Sequence, residues 1–458
     1  MKYDAIVIGS GQGGNPMAAK LADHGWNVAL IEKGNLGGTC INTGCTPTKT
    51  MVHRAQVAHY ARDAARWGVR THDVSVDLRT IVAQKDALVQ LRRDRQQESI
   101  NSRPKTLHLH RGVAQFTGPH ELRVGDQVLE GEHIFIDTGA RPHIPALPGL
   151  DAIDYLTNET VMQLTSVPEH LIVLGGGYIG LEFGQMFSRF GSRVTIIDDN
   201  EQIVAREDPE VAAELQRALE AEGIRFLLSA KATRVESKEN RIALTVAQPG
   251  NQSLVVGSHL LVATGRQPNT EDLELEQAGI KTNPDGSIRV NGRLETSVPG
   301  VWAIGDVKGG PAFTHISYND FQIIYGNLIE GKDLSIEKRI VPFCVFTDPQ
   351  LGGVGMTEKE ARARGYKLKI GKVPMANVAR AYERDETAGL MKIVVDAGND
   401  RILGASILSG DGGETVHVLY TLMLADLPYT LLKGAVYIHP TWAEGLFFLL
   451  DDVKPVDT

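Results

Sequence analysis

Two of the chain's three cysteines, Cys40 and Cys45, stand five positions apart in GGTCINTGCTPTK, residues 37–49. Zinc-type coordination would need further ligands at suitable spacing. CINTGC has no second pair to complete a tetrahedron, and the fourteen histidines are scattered. A structural staple is not required either. Domains that depend on disulfides are short and cysteine-dense because they cannot build a core, whereas 458 residues, 42% of them hydrophobic, suffice for several cores. The remaining reading is a dithiol that cycles between thiol and disulfide, and it needs an electron source.

Two stretches can hold one. YDAIVIGSGQGG is a β-type run followed by Gly9, Gly11 and Gly14 in G-x-G-x-x-G spacing; a helical stretch follows, then the apolar run NVALIE ending in Glu32. The first glycine permits a tight turn, the second lets backbone approach a pyrophosphate, and the third lets helix and strand pack closely. The helix N-terminus offers free N–H groups to phosphate, and the terminal acid can accept from a ribose hydroxyl. LIVLGGGYIG repeats the pattern with Gly175, Gly177 and Gly180, a helix LEFGQMFSRFG, and the strand RVTIID ending in Asp198. Glu32 lies 23 residues after Gly9, and Asp198 lies 23 residues after Gly175.

Two dinucleotides are therefore expected, and a flavin with a nicotinamide coenzyme is the usual pair for carrying hydride electrons to a thiol. The dithiol follows directly after the first unit, which assigns FAD there and NADH or NADPH to the second. A carboxylate at Asp198 accepts from a free 2′-hydroxyl and repels a 2′-phosphate, so NADH is favoured, with Arg193 and Arg206 flanking the region.

Composition removes other classes. Formal net charge is −9 with basic and acidic residues interspersed, which argues against a nucleic-acid partner. The start, MKYDAIVIGSGQGG, lacks the basic region, apolar centre and cleavage site of a signal peptide. No run of about 18 apolar residues indicates a membrane span, and the cytoplasm is the expected location.

With these residues assembled, the chain resembles the FAD-dependent pyridine nucleotide-disulfide oxidoreductases: glutathione reductase, dihydrolipoamide dehydrogenase, mercuric reductase and their relatives. The marks are GSGQGG, GGTCINTGCTPTK, GGGYIGLEF, ATGRQPNT at 263–270, WAIGD at 302–306 and YIHPTWAE at 437–444, and they span essentially the whole chain. GGTCIN-GC-PTKT with NVARAYERDETAGLMKIVV is most similar to the mercuric-reductase-like branch. The resemblance implies an α/β fold of two Rossmann-like dinucleotide-binding domains and a C-terminal α+β dimerisation domain. Its expected boundaries are 1–148 for the first part of the FAD domain, 149–267 for the NAD(P)H domain, 268–335 for the return to the FAD domain, and 336–458 for the interface domain. Residues 85–100, KDALVQLRRDRQQESI, read as an exposed helix without chemistry.

The same resemblance implies roles. Cys45 is the flavin-proximal thiol, and Cys40 the interchange thiol that attacks substrate. Lys49 sits near the flavin and pairs with Glu182, Asp306 holds the ribityl chain, Tyr178 lids the nicotinamide pocket, and Gly265 of ATGRQPNT belongs with the NAD(P)H site. Thiol exchange needs a proton carrier, and His439, oriented by Glu444, answers this in the manner of a nucleophile triad. In relatives this pair reaches the partner subunit's disulfide, which implies a homodimer.

Three departures bear on substrate. Mercuric reductases carry a further cysteine pair near the C-terminus, whereas here no cysteine lies beyond Cys344, which reads as a buried strand residue. Tyr437 replaces the second histidine of dihydrolipoamide dehydrogenases, and Ala19 and Lys20 stand where a glutathione-binding arginine is sought. The expectation is an NAD(P)H:disulfide oxidoreductase acting on a small disulfide or related thiol compound, with no resident metal. A mercuric or copper ion reductase using the same cysteines is the alternative. A non-catalytic NADH-binding redox sensor or docking subunit is the third reading, disfavoured by the intact His439 and Glu444.

Overall fold

The computed structural model, which describes residues 1–239 and 241–456, places both glycine fingerprints between a parallel strand and a helix. In the first unit, β1 (Lys2–Ile8) leads to α1 (Gly14–Asp23) and β2 (Val28–Glu32). The redox segment supplies α2 (Gly38–Asn42) and α3 (Cys45–Asp63), followed by α4 (Leu78–Asn101). The sheet continues with β3 (Leu107–Arg111), β4 (Ala114–Gly118), β5 (Glu121–Val124) and β6 (Gln127–Ile136), in the order β3-β2-β1-β6-β5-β4. β1 is parallel to both neighbours, with Ala5 opposite Val28 on one side and His133 on the other. Its centre is fully buried: Ala5 and Val7 pack under α1 on one face, and Ile6 and Ile8 pack against side chains of β4 and β5 and of the later segment 273–307 on the other.

The second unit repeats this with β7 (His170–Leu174), α5 (Tyr178–Phe190), β8 (Arg193–Ile197), α6 (Pro209–Ala221), β9 (Arg225–Leu227) and β10 (His259–Val262), in the order β9-β8-β7-β10, all parallel. The chain then returns: β11 (Val301–Ala303) adds to the first sheet beside β6, and α7 (Thr314–Leu328) packs against α1. The C-terminal region is a six-stranded antiparallel sheet with helices on it, including α8 (Gly412–Leu424). This is the expected α/β architecture with a C-terminal α+β unit.

The internal repeat extends to sterics. Gly9 at φ +100° and Gly175 at φ +107° both take the left-handed conformation, and a Cβ on either would overlap the carbonyl at the end of a neighbouring strand segment, Asp137 and Ala263 respectively. A Cβ on Gly14 would strike the carbonyl oxygen of Gly9, and one on Gly180 that of Gly175. The same glycines are needed twice for the same reason.

One buried cation ties the second unit to the C-terminal sheet. Lys392, 1% exposed, places its Nζ 2.7 Å from Asp208, 2.8 Å from Glu210 and 2.8 Å from Glu358. Removing one partner of a buried ionic cluster leaves uncompensated charge. Lys392→Met is therefore expected to destabilise the fold by about 3–5 kcal/mol, read as a lowered unfolding midpoint; an unchanged midpoint would show that the carboxylates relax into solvent.

Candidate active site

The redox loop is shaped by its short-range hydrogen bonds. Gly37 caps α2 in the left-handed conformation, and the Asn42 side-chain amide donates to the carbonyls of Leu36 at 3.1 Å and Gly38 at 2.8 Å. The helix breaks at Thr43 and Gly44. Gly44 is not left-handed, with φ −124° and ψ −120°; it is required because a Cβ there would lie 2.8 Å from the Thr39 carbonyl oxygen. Cys45 thus becomes the first residue of the 19-residue α3, where free N–H groups and the helix dipole favour a thiolate.

Cys40 and Cys45 are both free thiols. The Cys45 Sγ lies 3.1 Å from the Thr314 Oγ1. Its pKa is lowered to about 6, chiefly by the hydrogen bond from Cys40, with the Thr314 hydroxyl and the Lys49 charge adding to it against burial. Cys40 is pushed up by the same hydrogen bond and by its own burial. The pair is therefore polarised, with charge on Cys45 and the proton on Cys40. Because the Cys45 pKa is depressed, its thiolate is complete well above pH 6 and is lost as pH falls through that value. Ultraviolet thiolate absorbance of the reduced protein is expected to rise with a midpoint of about 6, and Cys45→Ser to remove that step. A midpoint in the ordinary thiol range would refute the polarisation.

Lys49, one turn after Cys45 on α3, meets Glu182 of α5 with Nζ 2.5 Å from Oε2. Glu182 is buried, and its other oxygen accepts from the Phe346 amide at 2.9 Å, while the ammonium lies 4.6 Å from the centre of the Phe346 ring. The sequence pairing of Lys49 with Glu182 is thus present as a contact. Tyr178 opens α5 and stacks on Phe343 at 5.5 Å and on Phe313 at 6.1 Å; burial pushes its phenol up.

The terminal acids of the two units are held alike. Glu32 Oε2 accepts from the Ser10 amide at 3.0 Å, and Oε1 from the Gly34 amide at 2.7 Å. Asp198 Oδ2 accepts from the Gly176 amide at 2.5 Å, and Oδ1 from the Asn200 amide at 2.8 Å. Of the two arginines near Asp198, Arg206 lines the cavity, whereas Arg193 pairs with Glu169 at 3.7 Å. Asp306 faces Arg266 of ATGRQPNT at 3.4 Å; burial raises its carboxyl, opposed by Arg266 and Lys308.

All these groups surround one cavity of about 2390 Å³, lined by Gly9, Gly11, Glu32, Cys40, Cys45, Lys49, Gly175, Gly177, Tyr178, Asp198, Gly265 and Asp306 among others. Single ligand pockets hold roughly 300–1,000 Å³, so the volume suits two large ligands. The walls fit FAD and a nicotinamide coenzyme. Both glycine turns face the space, and the redox loop approaches the first so closely that a Cβ on Gly38 would lie 2.7 Å from the Gly11 Cα. Among the described residues, no group of three or more His, Cys, Asp or Glu is arranged to hold a metal ion, and no helix is long and apolar enough to cross a membrane.

His439 and Glu444 stand elsewhere. The His439 Nδ1 lies 2.9 and 3.0 Å from the two Glu444 carboxylate oxygens, which leaves Nε2 without a partner among the described residues, and the imidazole side chain is 65% exposed. Neither residue lines the cavity, and the neighbouring apolar side chains Val436 and Ile438 are 101% and 78% exposed. The single chain brings the other expected site residues to one space, except Gly14 and Gly180, which pack beneath the glycine turns instead of lining it, and it leaves the acid–base pair on an apolar outer face.

Other contacts escaped the sequence reading. Thr314 carries no motif and lies 269 residues from Cys45. Asp137, a carboxylate under the first glycine turn, accepts from the Gly14 amide at 2.7 Å; its only signal was an acid ending the apolar run IFID. Cys344, expected to be buried, sits on a strand (Pro342–Val345) but is only half-buried and lines the cavity, with Gly413 packed so close that a Cβ there would lie 2.7 Å from its Sγ. Burial still pushes its thiol up to about 12.

Comparison with known proteins agrees with this geometry. Residues 3–320 match the family described as pyridine nucleotide-disulphide oxidoreductase, and residues 341–447 match the dimerisation domain of that family. The chain is 38% identical to the probable pyridine nucleotide-disulfide oxidoreductase RclA of Escherichia coli (strain K12), covering 99% of this chain and 100% of that protein. It is 36% identical to the mercuric reductase of Lysinibacillus sphaericus, covering 97% of this chain and 81% of that one. A solved structure described as the Cu(II) complex of HOCl-induced flavoprotein disulfide reductase RclA from Escherichia coli superposes with a TM-score of 0.90 at 37% identity, covering 99% of this chain and 100% of that chain. The chain therefore belongs to the pyridine nucleotide-disulphide oxidoreductases, a family of flavoprotein oxidoreductases that use FAD and a pyridine nucleotide.

Proposed function

We propose that the protein is a homodimeric, NADH-preferring reductase of small disulfides. The observation that carries this is the polarised Cys40–Cys45 pair beside Lys49 and Glu182, on a cavity shared by both glycine turns. In this reading residues 1–148 and 268–335 form the FAD domain, 149–267 the NADH domain and 336–458 the interface domain. Gly9, Gly11, Gly14, Glu32 and Asp306 hold FAD, and Gly175, Gly177, Gly180, Gly265 and Asp198 hold NADH. Together the two cofactors supply hydride transfer and two-electron delivery to a disulfide.

The chain's own groups do the rest. Lys49, fixed by Glu182, presents a positive charge one turn from Cys45 and favours its thiolate. Cys40 holds the proton in the resting dithiol and must lose it to attack a substrate sulfur. The partner subunit's dyad takes that proton and returns it to the departing thiol, with Glu444 holding the imidazole by Nδ1 so that Nε2 is the working atom. Tyr178, held in its aromatic stack, covers the coenzyme pocket and limits water access.

A second reading has specific support. A thiolate–thiol pair is a soft ligand set suited to Cu or Hg ions, and relatives include mercuric reductases and a reductase solved as a Cu(II) complex. Anaerobic reduction of the holoprotein with NADH, followed by glutathione disulfide, lipoamide, other small disulfides, Hg2+ or Cu2+, separates the two. Catalytic reoxidation by a disulfide is expected; reoxidation by metal ions alone would overturn the main reading. For the coenzyme, Asp198→Ala is expected to raise the NADPH-to-NADH ratio of kcat/KM about fivefold, the size of one screened unit charge at short range. An unchanged ratio would remove the ribose argument.

A further inference from the structure

A buried carboxylate borders the cavity beside the second glycine turn and has no role in the chemistry above. Glu207 is 7% exposed, yet it lines the same space as Gly175, Gly176, Gly177 and Tyr178. Its Oε2 accepts from the Ser406 hydroxyl at 3.0 Å, on a strand (Ile402–Ser409) of the C-terminal sheet, and its Oε1 has no partner among the described residues. The chain is strained where it holds this side chain. Val204 takes φ +40°, a left-handed conformation that a β-branched residue resists. Its N–H donates to the Gly176 carbonyl at 3.0 Å, and its own carbonyl accepts from the Glu207 amide at 2.7 Å. Packing is close as well, since a Cβ on Gly176 would lie 3.3 Å from the Ile203 Cγ2. A turn that carries an acid is thus bonded directly to the glycine turn assigned to the coenzyme diphosphate.

An ionised carboxylate at such a place repels a diphosphate, whereas a neutral carboxyl keeps an O–H to donate. The surroundings favour the neutral form. Burial pushes the Glu207 carboxyl up to about 7; the neighbouring acids Asp208 and Glu360 add to this, against the Ser406 hydrogen bond and the Lys392 charge. The Lys392 ammonium is already shared by Asp208, Glu210 and Glu358. Glu360, on a short helix (Glu358–Ala363), accepts from the Thr357 amide at 3.0 Å. The Tyr178 phenol and the Arg206 guanidinium also line the cavity, and Arg206 has no ion pair among the described residues.

We propose that Glu207 is a proton-linked binding residue of the coenzyme pocket: it is neutral beside the diphosphate of the bound nicotinamide coenzyme and donates its Oε1 hydroxyl toward it, so that coenzyme binding draws a proton from solution. The proposal rests on the reading that the second glycine unit holds the coenzyme. Affinity is then full below about pH 7 and falls as pH rises through that value, by up to about tenfold per pH unit for one linked proton.

Calorimetric titration of the oxidised holoprotein with NAD+, in buffers of differing ionisation enthalpy at about pH 7.5, reads the protons taken up per coenzyme bound. The parent is expected to take up about half a proton to one. Glu207→Gln, whose amide can still accept from Ser406 and donate into the cavity, should take up none, and at about pH 8.5 it should bind NAD+ about fivefold or more tighter than the parent. Ser406→Ala removes a hydroxyl that favours the ionised form, so its loss of affinity should begin at higher pH than in the parent. NAD+ binding without proton uptake in the parent, or uptake that persists undiminished in Glu207→Gln, would overturn the proposal. So would weaker binding by Glu207→Gln at every pH, which would make Glu207 an ionised acceptor. The same titrations with NADP+ separate this result from the NADH preference. If NADP+ binds and NAD+ does not, that preference fails, and the difference in uptake between the parent and Glu207→Gln, in which titration of the 2′-phosphate cancels, still decides the role of Glu207. If neither coenzyme binds, the coenzyme reading and the proposal fall together.

Discussion

Cys40→Ser is expected to abolish disulfide turnover, by a factor on the order of 10⁴ or more, because a serine hydroxyl at this position is not ionised and cannot form the mixed disulfide. The holoprotein should still accept electrons from NADH and still show the long-wavelength absorbance of the Cys45 thiolate against the bound flavin. Cys45→Ser should lose turnover to a similar extent and lose that absorbance as well. The two variants therefore separate the thiols by role. Absorbance that survives in Cys45→Ser and vanishes in Cys40→Ser would reverse the assignment and contradict the polarisation set by Thr314, Lys49 and the Cys40 hydrogen bond.

The second large effect concerns His439. General acid–base groups contribute about 10²–10⁴-fold, so His439→Gln should slow disulfide turnover by that factor while reduction by NADH in rapid mixing continues at the parent rate. Glu444→Gln should give a smaller loss, since the imidazole keeps a hydrogen-bond partner at Nδ1 but loses the adjacent charge. Because the dyad lies outside the cavity that contains the thiols, a mixture of Cys40→Ser and His439→Gln subunits, unfolded and reassembled together, should regain activity. One of the two sites in each mixed dimer then has an intact thiol pair and an intact dyad. No recovery, with mixed dimers shown to form, would place both functions within one chain.

The parts that were legible in the sequence are those with local spacing. Gly9 and Gly175 could be read because a turn that forces positive φ and a strand-end contact accepts little else, and Glu32 and Asp198 because strand length fixes where the second strand ends. Lys49 and Glu182, 133 residues apart, were paired only through family motifs; nothing local to either residue names the other. Thr314, Phe313 and Phe343 left no trace, since they act across the cavity through folds of chain that have no periodicity in common with the redox loop. Helix α4 was legible as a helix but not as a support of the redox loop. Its charge-rich pattern suggested full solvation, whereas Val82, Lys85 and Val89 are buried and Arg93 is bound to the loop.

The exposed face that carries His439 and Glu444 has a kinetic corollary. If the dyad serves the thiols of a second copy, as proposed, a lone subunit, with Val436 and Ile438 projecting beside its dyad, would retain the means to take electrons from the nicotinamide coenzyme but not the means to deliver them through thiol exchange. On the two-copy reading, the rate of disulfide reduction in dilute solution scales with the square of protein concentration until dimers predominate, and only then becomes linear. Dissociation would also change the destination of electrons, diverting them from disulfides toward dioxygen. Assembly would thus act as the selector between a reductase and an oxidase, with abundance of the protein as its control.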